Sequence, residues 1–197
     1  MRALCDIGTD EEITVSYLER DLLISPKRVG WIESLFHFDC RCRSCTSADS
    51  PKSDANRDRV KTAFERWETQ PIDEWFCAGL SAELNKSETI SEMDQVESII
   101  KQEHLTTFLP QLLEYRFQLH AAWGEYEEAK RVGRQWEAEE KKIGELKGAG
   151  GEEVSRIRKD PKRWGQWGQL KRLYSRLNKA KPVARAKVPQ YGRKAAG

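Results

Sequence analysis

Hydrophobic positions along the chain change their period partway through. Near the start, Ile13, Val15 and Tyr17 alternate with Thr14 and Ser16, the two-residue period of a half-buried strand. Ala3, Leu4 and Ile7 precede it, separated by the turn signal Gly8-Thr9-Asp10. From Ser25 the spacing becomes helical. Ser25-Pro26 reads as an N-cap followed by proline at the first helical position, and Val29, Ile32, Leu35 and Phe36 recur on one face. Residues 46–56 are polar, contain Pro51, and read as a connection with the linker proper at 48–56.

Beyond residue 57 the pattern is helical throughout. Val60, Phe64 and Trp67 share a face. Pro71 opens a further helix with Trp75, Phe76, Leu80 and Leu84, and Ile90, Met93, Val96, Ile99 and Ile100 mark another. The next begins near Thr107, where Pro110 is tolerable because first-turn amides have no helical partner. It carries Leu112, Leu113, Tyr115, Phe117, Leu119 and Trp123. Gly124-Glu125-Tyr126 punctuates it, and Ala129, Val132, Trp136 and Ile143 continue the period. A glycine run at 148–151 stops that helix. Asp160-Pro161, Trp164 and Trp167 form a compact turn region before a last helix with Leu170, Leu173, Tyr174 and Leu177. From Lys179 the chain is basic, without acids and with Pro182 and Pro189, so the tail 179–197 is expected to be disordered.

Composition adjusts this picture only slightly. The 197 residues are 38% apolar and 34% charged, with seven Trp, which fits solvated helices around a thin core. A net charge of +2 implies no global field for nucleic acid or membrane. The basic tail alone is a weak nucleic-acid signal. No run approaches the roughly 18 apolar residues of a membrane span, and no secretory leader is evident, so an intracellular protein of nucleus or cytoplasm is expected.

Candidate chemistry concentrates in Cys40-x-Cys42-x-x-Cys45. Three soft thiolates so close suit one zinc ion, which wants a fourth ligand. His37, Cys5, Cys77 or a residue not present in this sequence could supply it. With five cysteines in a chain read as intracellular, metal binding is favoured over disulfides. The plainer alternative is a loop of unpaired surface thiols. Spacing alone would likewise make Tyr17 a cross-strand packing residue, and Phe36 and Phe38 packing residues.

The order of these pieces resembles the closing part of a SET domain with its post-SET cysteines. The residues that carry the resemblance are Ala3, Asp6, Ile7, Glu11, Glu12, Ile13, Thr14, Ser16, Tyr17, Arg28, Phe38, Cys40, Cys42 and Cys45. His37 stands where that family usually has glycine. The pair 107–123 and 125–147 resembles a tetratricopeptide helix–turn–helix with a Gly-x-Tyr-x-x-Ala turn, although no period of about 34 residues recurs. The later part is similar to the helical C-terminal half of fungal SET proteins of the MYND-associated type. Asp160, Pro161, Trp167 and Gly168 match the Asp-Pro and Trp-Gly pieces of that half.

The resemblance implies a mainly α chain: a short β remnant of a SET domain and a zinc knuckle over 1–47, and a tetratricopeptide-like helical domain over 57–178. It implies lysine methylation of a protein substrate, histone or other, from S-adenosylmethionine. Tyr17 would face the methyl-transfer channel and Phe38 the cofactor's adenine, while Cys40, Cys42 and Cys45 would hold zinc. The helical domain would offer a surface to a protein partner. The family's Asn-His-Ser-Cys motif does not occur in this sequence, and Gly148-Ala149-Gly150, which follows a helix rather than a strand, does not replace its earlier Gly-x-Gly cofactor loop, so the chain is expected to be a C-terminal piece of such a protein and inactive alone. The alternative is a helical interaction module with no enzyme activity.

Overall fold

A computed structural model describes residues 9, 22, 24–41, 43–46, 50–69, 86–143 and 151–180. These residues are mainly helical, and no strand occurs among them. The strand expected at 13–17, the helix expected after Pro71 and the tail beyond 180 lie outside them.

Helices α1 (Ser25–Phe36), α2 (Arg43–Thr46) and α3 (Ser50–Thr69) come first. They are followed by α4 (Lys86–Gln102), a 3-10 turn (Thr106–Phe108), α5 (Leu109–Ala122) and α6 (Tyr126–Ile143). Then come α7 (Gly151–Lys159), a second 3-10 turn (Pro161–Arg163) and α8 (Gln169–Ala180). The stretch read as a linker over 48–56 is helical from Ser50. Its polar residues hid the helix from a hydrophobic reading, yet Ser50-Pro51 is the same start signature as Ser25-Pro26.

The axis of the fold is α5. Apolar residues surround it, and it is buried on both sides, as such a helix must be. On one side Leu109, Leu112 and Leu119 join Val60, Phe64 and Trp67 of α3 and Met93, Val96 and Ile100 of α4. Aromatic rings organise this core: Phe64 meets Trp67 edge-on at 5.6 Å, and Tyr115 lies 5.6 Å from Trp67. On the other side Leu113, Phe117 and Ala121 join Ala129, Val132 and Trp136 of α6, with Ile157 and Trp164 packed against them.

Local chemistry closes the turns. His104, at φ 55°, ends α4: the Leu105 amide donates to the Ile100 carbonyl at 2.8 Å, and Leu105 folds into the first core. Gly124, at φ 70°, ends α5 in the same way, with the Glu125 amide on the His120 carbonyl at 3.0 Å. The helical hairpin α5–α6 therefore rests on a conformation that glycine adopts freely. His120 Nδ1 meets Glu125 at 2.7 Å beneath this turn, and Lys86 reaches the same carboxylate from the start of α4.

The Trp-Gly segment docks on the hairpin. The Gly168 amide donates to the Ala121 carbonyl at 2.9 Å, Trp167 meets Tyr126 edge-on at 6.2 Å, and Trp164 meets Phe117 at 6.4 Å. Helix α7 lies hard against α6, because a Cβ on Gly133 would stand 3.0 Å from the Arg158 carbonyl. Arg158 clamps the same joint. Its guanidinium lies 3.7 Å over Trp136 and donates twice to Glu140, once at 2.7 Å. No described helix is long and apolar enough to cross a membrane.

Candidate functional site

The candidate residues gather where α1 ends. Pro26 starts this helix as expected, but Ser25 does not cap it. The Ser25 amide donates to Asp54 of α3 at 2.7 Å, and its hydroxyl reaches the same carboxylate oxygen at 2.9 Å. A residue of another helix thus satisfies one of the orphan amide donors of the first turn. At the far end His37 takes φ 57° and ψ 37°, with its amide on the Glu33 carbonyl at 3.0 Å. That left-handed residue turns the chain sharply, and Phe38 comes to lie 6.4 Å from Phe36, ring to ring.

The apolar face expected on α1 is only partly covered. Ile32 is buried and Val29 half-buried, but Leu35 is 52% and Phe36 42% exposed. Trp31 and Phe38 are exposed as well. Spacing shows which side of a helix is apolar and cannot show whether anything covers it. Against α2 and α3, α1 makes its described contacts mainly through polar groups.

Those groups form a network around Arg28, whose side chain is buried. One guanidinium nitrogen donates to the Ser25 hydroxyl at 3.0 Å, approaches Cys45 Sγ at 3.7 Å and stands 4.0 Å from Asp54. The Ser50 hydroxyl closes the ring, 2.8 Å from that of Ser25. An open cleft of about 510 Å3 runs beside it, with Val29 and Cys45 in its wall. From α3, Ser53 and Asn56 donate to Glu103 at the end of α4, at 2.5 and 2.7 Å. Burial works to raise the Glu103 pKa. The two hydrogen bonds and the charges of Arg57 and Arg28 outweigh it and hold the carboxyl below its usual range.

Among the residues singled out from sequence, Phe38, Cys40 and Cys45 are described, whereas Tyr17, Cys42, Cys5 and Cys77 lie outside the described residues. Cys40 and Cys45 are half-buried, and neither is in a disulfide. No three His, Cys, Asp or Glu side chains among the described residues come together as a metal site. In kind the two thiols fit zinc, and an N–H donor such as Arg28 beside Cys45 would stabilise a metal-bound thiolate. For the methyl donor, the described residues offer the exposed Phe38 ring as a stacking surface. Asp54 and Ser50 were missed because they fall in the stretch read as a linker; the Ser-Pro start was the signal for them.

A second cluster lies on α6 and α7, where Lys130, Arg134, Arg158 and Lys159 line a cleft of about 250 Å3 together with Glu137. A hydrogen bond from Lys141 holds the Glu137 carboxyl below its usual range; partial burial opposes this, and the Lys159 and Arg158 charges reinforce it. Periodicity gave no sign of this cluster, because it joins residues from two helices. Compared with known proteins, the chain matches no family model, no curated sequence and no solved structure.

Proposed function

We propose that the chain is the closing part of a SET-type protein-lysine methyltransferase, carrying the post-SET cysteines and a tetratricopeptide-like helical domain, and that it is catalytically incomplete by itself. The observation that carries this reading is the partly exposed aromatic end of α1. Trp31, Leu35, Phe36 and Phe38 stand exposed directly before the cysteine cluster, as the surface of a half-assembled site would. In this reading Cys40, Cys42 and Cys45 hold zinc, and the metal fixes the segment after α1. Phe38 stacks on the adenine of S-adenosylmethionine. Tyr17 orients the lysine amine for transfer of the methyl group.

Zinc content and methyl transfer test this together. The purified chain should take up zinc loosely, lose it on Cys42→Ser, and transfer no methyl group from labelled S-adenosylmethionine to histones. Absence of any zinc uptake would remove the post-SET reading. Robust transfer abolished by Tyr17→Phe would keep the family and overturn the incompleteness.

The second reading is a scaffold without enzyme activity, favoured by the self-sufficient packing of α3 to α7 around α5. Helical hairpins of this kind present extended surfaces to peptides. Affinity capture with the full chain that enriches no partner over a bead control would count against it.

A further inference from the structure

The face built by α6, α7 and the following turn gathers more cations than acids around one cleft, with Lys130, Arg134, Arg158 and Lys159 facing Glu137. Its acids are mostly engaged close by. Glu128 pairs with Arg131, Glu139 with Lys142, Glu140 with Arg158, Glu153 with Arg156 and Asp160 with Arg163. Glu137, the acid among the described cleft residues, is engaged by Lys141 at 3.0 Å. Lys130, Arg134, Lys159 and Lys162 form no ion pair with any described residue. Lys130 and Lys162 instead stand 5.5 and 5.2 Å from the Tyr126 ring centroid, so two ammonium groups share one ring. Like charges gathered at a cleft repel one another, and an anion entering between them relieves the repulsion.

The floor of the cleft is rigid. Arg158 is 5% exposed and fixed by Trp136 and Glu140, so the site exists before a ligand arrives. At about 250 Å3 the cleft accepts one or two side chains rather than a small-molecule cofactor. Nucleic acid would need a continuous basic track along its backbone. Here Glu127, Glu128, Glu152 and Glu153 border the patch and interrupt any such track.

We propose that this cleft binds an acidic peptide segment. Lys130, Arg134 and Lys159 contact its carboxylate or phosphoserine groups, and Lys162 beside Tyr126 extends the contact. The proposal rests on the scaffold reading of the helical domain and names the chemistry of its partner. Fluorescence anisotropy of the full chain with a short labelled peptide of alternating glutamate and serine tests it. Binding should saturate at low salt, fall steeply as salt rises, and vanish for the glutamine counterpart.

The Lys130→Ala, Arg134→Ala, Lys159→Ala triple variant should bind at least about tenfold more weakly, the scale of one lost charge-assisted contact. Its melting curve should match the parent's, because these side chains support no described ion pair. A phosphoserine counterpart run alongside identifies the source: tighter binding of either peptide, with the same loss in the triple variant, supports the site. No saturable binding of either peptide overturns it. So does undiminished binding by the triple variant, or tighter binding of an oligonucleotide of equal charge. A protein partner captured equally by parent and triple variant would overturn the cleft and leave the scaffold reading standing.

Discussion

Helices α1 and α5 are similar in length and in apolar content, and the structure treats them in opposite ways. Around α5, apolar residues on every side meet α3 and α4 on one flank and α6 on the other, so that Leu112, Phe117, Leu119, Ala121 and Ala122 are almost wholly buried. Around α1, Trp31, Leu35, Phe36 and Phe38 face solvent, and a polar ring of Ser25, Arg28, Ser50 and Asp54 makes the attachment. A helix held by apolar packing serves stability. A helix held by a few polar contacts, with its aromatic side turned outward, has that side available for something else. The candidate chemistry sits on the second kind.

The sharpest way to break this contrast is to delete one ring from each region. Phe117→Ala should cost about 3–5 kcal/mol, because its buried ring packs against both Trp136 and Trp164 and its removal leaves a cavity in the core. Phe38→Ala should change stability by no more than about 0.5 kcal/mol. Urea unfolding of both variants checks the pair. A large loss for Phe38→Ala would mean that its exposed ring is covered in solution.

Apolar packing leaves a period in the sequence, and polar packing does not. The helices α4, α5 and α6 were legible because Met93, Val96 and Ile100, then Leu112 and Phe117, then Val132 and Trp136 repeat at helical spacing against an apolar neighbour. The first half of α3 was not, since Ser50, Ser53, Asp54 and Asn56 bond to Ser25 and Glu103, and polar partners leave no period. Gly133 and Arg158 were equally invisible. Their importance lies in the close approach of α7 to α6, which no local pattern records. Of the candidate site, the cysteine spacing and Phe38 were readable, but the buried Arg28 beside Cys45 shows only in three dimensions.

Asp54 tests the polar attachment. It accepts from both the amide and the hydroxyl of Ser25 and stands 4.0 Å from the buried Arg28, so Asp54→Ala removes the acceptor of the Ser25 amide and the carboxylate beside the guanidinium, while the Ser25 hydroxyl keeps Ser50. The expected loss is about 1–3 kcal/mol. It should appear as faster amide hydrogen exchange throughout α1, with α5 keeping its protection. Uniform loss of protection in both helices would mean that the two regions unfold as one.

Glu103 makes the junction between α3 and α4 sensitive to acid. Its folded pKa lies below the unfolded value, so its contribution is present above the usual carboxylate pKa and disappears as pH falls through the folded value. Glu103→Gln should therefore lower stability near neutral pH and leave it unchanged in strong acid. The carboxylate faces solvent for much of its surface, and screening limits the difference to about 0.5–1 kcal/mol. Unfolding curves of parent and variant at the two pH values check it; an equal loss at both would remove the charge from the explanation.

His37 tests the exposed region in the opposite direction, because a substitution there should stabilise. Its left-handed backbone costs an L-residue about 1–2 kcal/mol, and glycine would avoid that cost while adding roughly 0.5–1 kcal/mol of unfolded-state entropy. His37→Gly should thus gain up to about 1 kcal/mol in chelator, measured by urea unfolding. The same variant with zinc present separates two roles for the imidazole. If His37 only turns the chain, the gain persists in zinc. If it completes the site begun by Cys40, Cys42 and Cys45, the gain reverses, since losing a metal ligand costs more than one residue's backbone strain. Either result shows whether the exposed end of α1 can assemble a metal site from this chain's own residues.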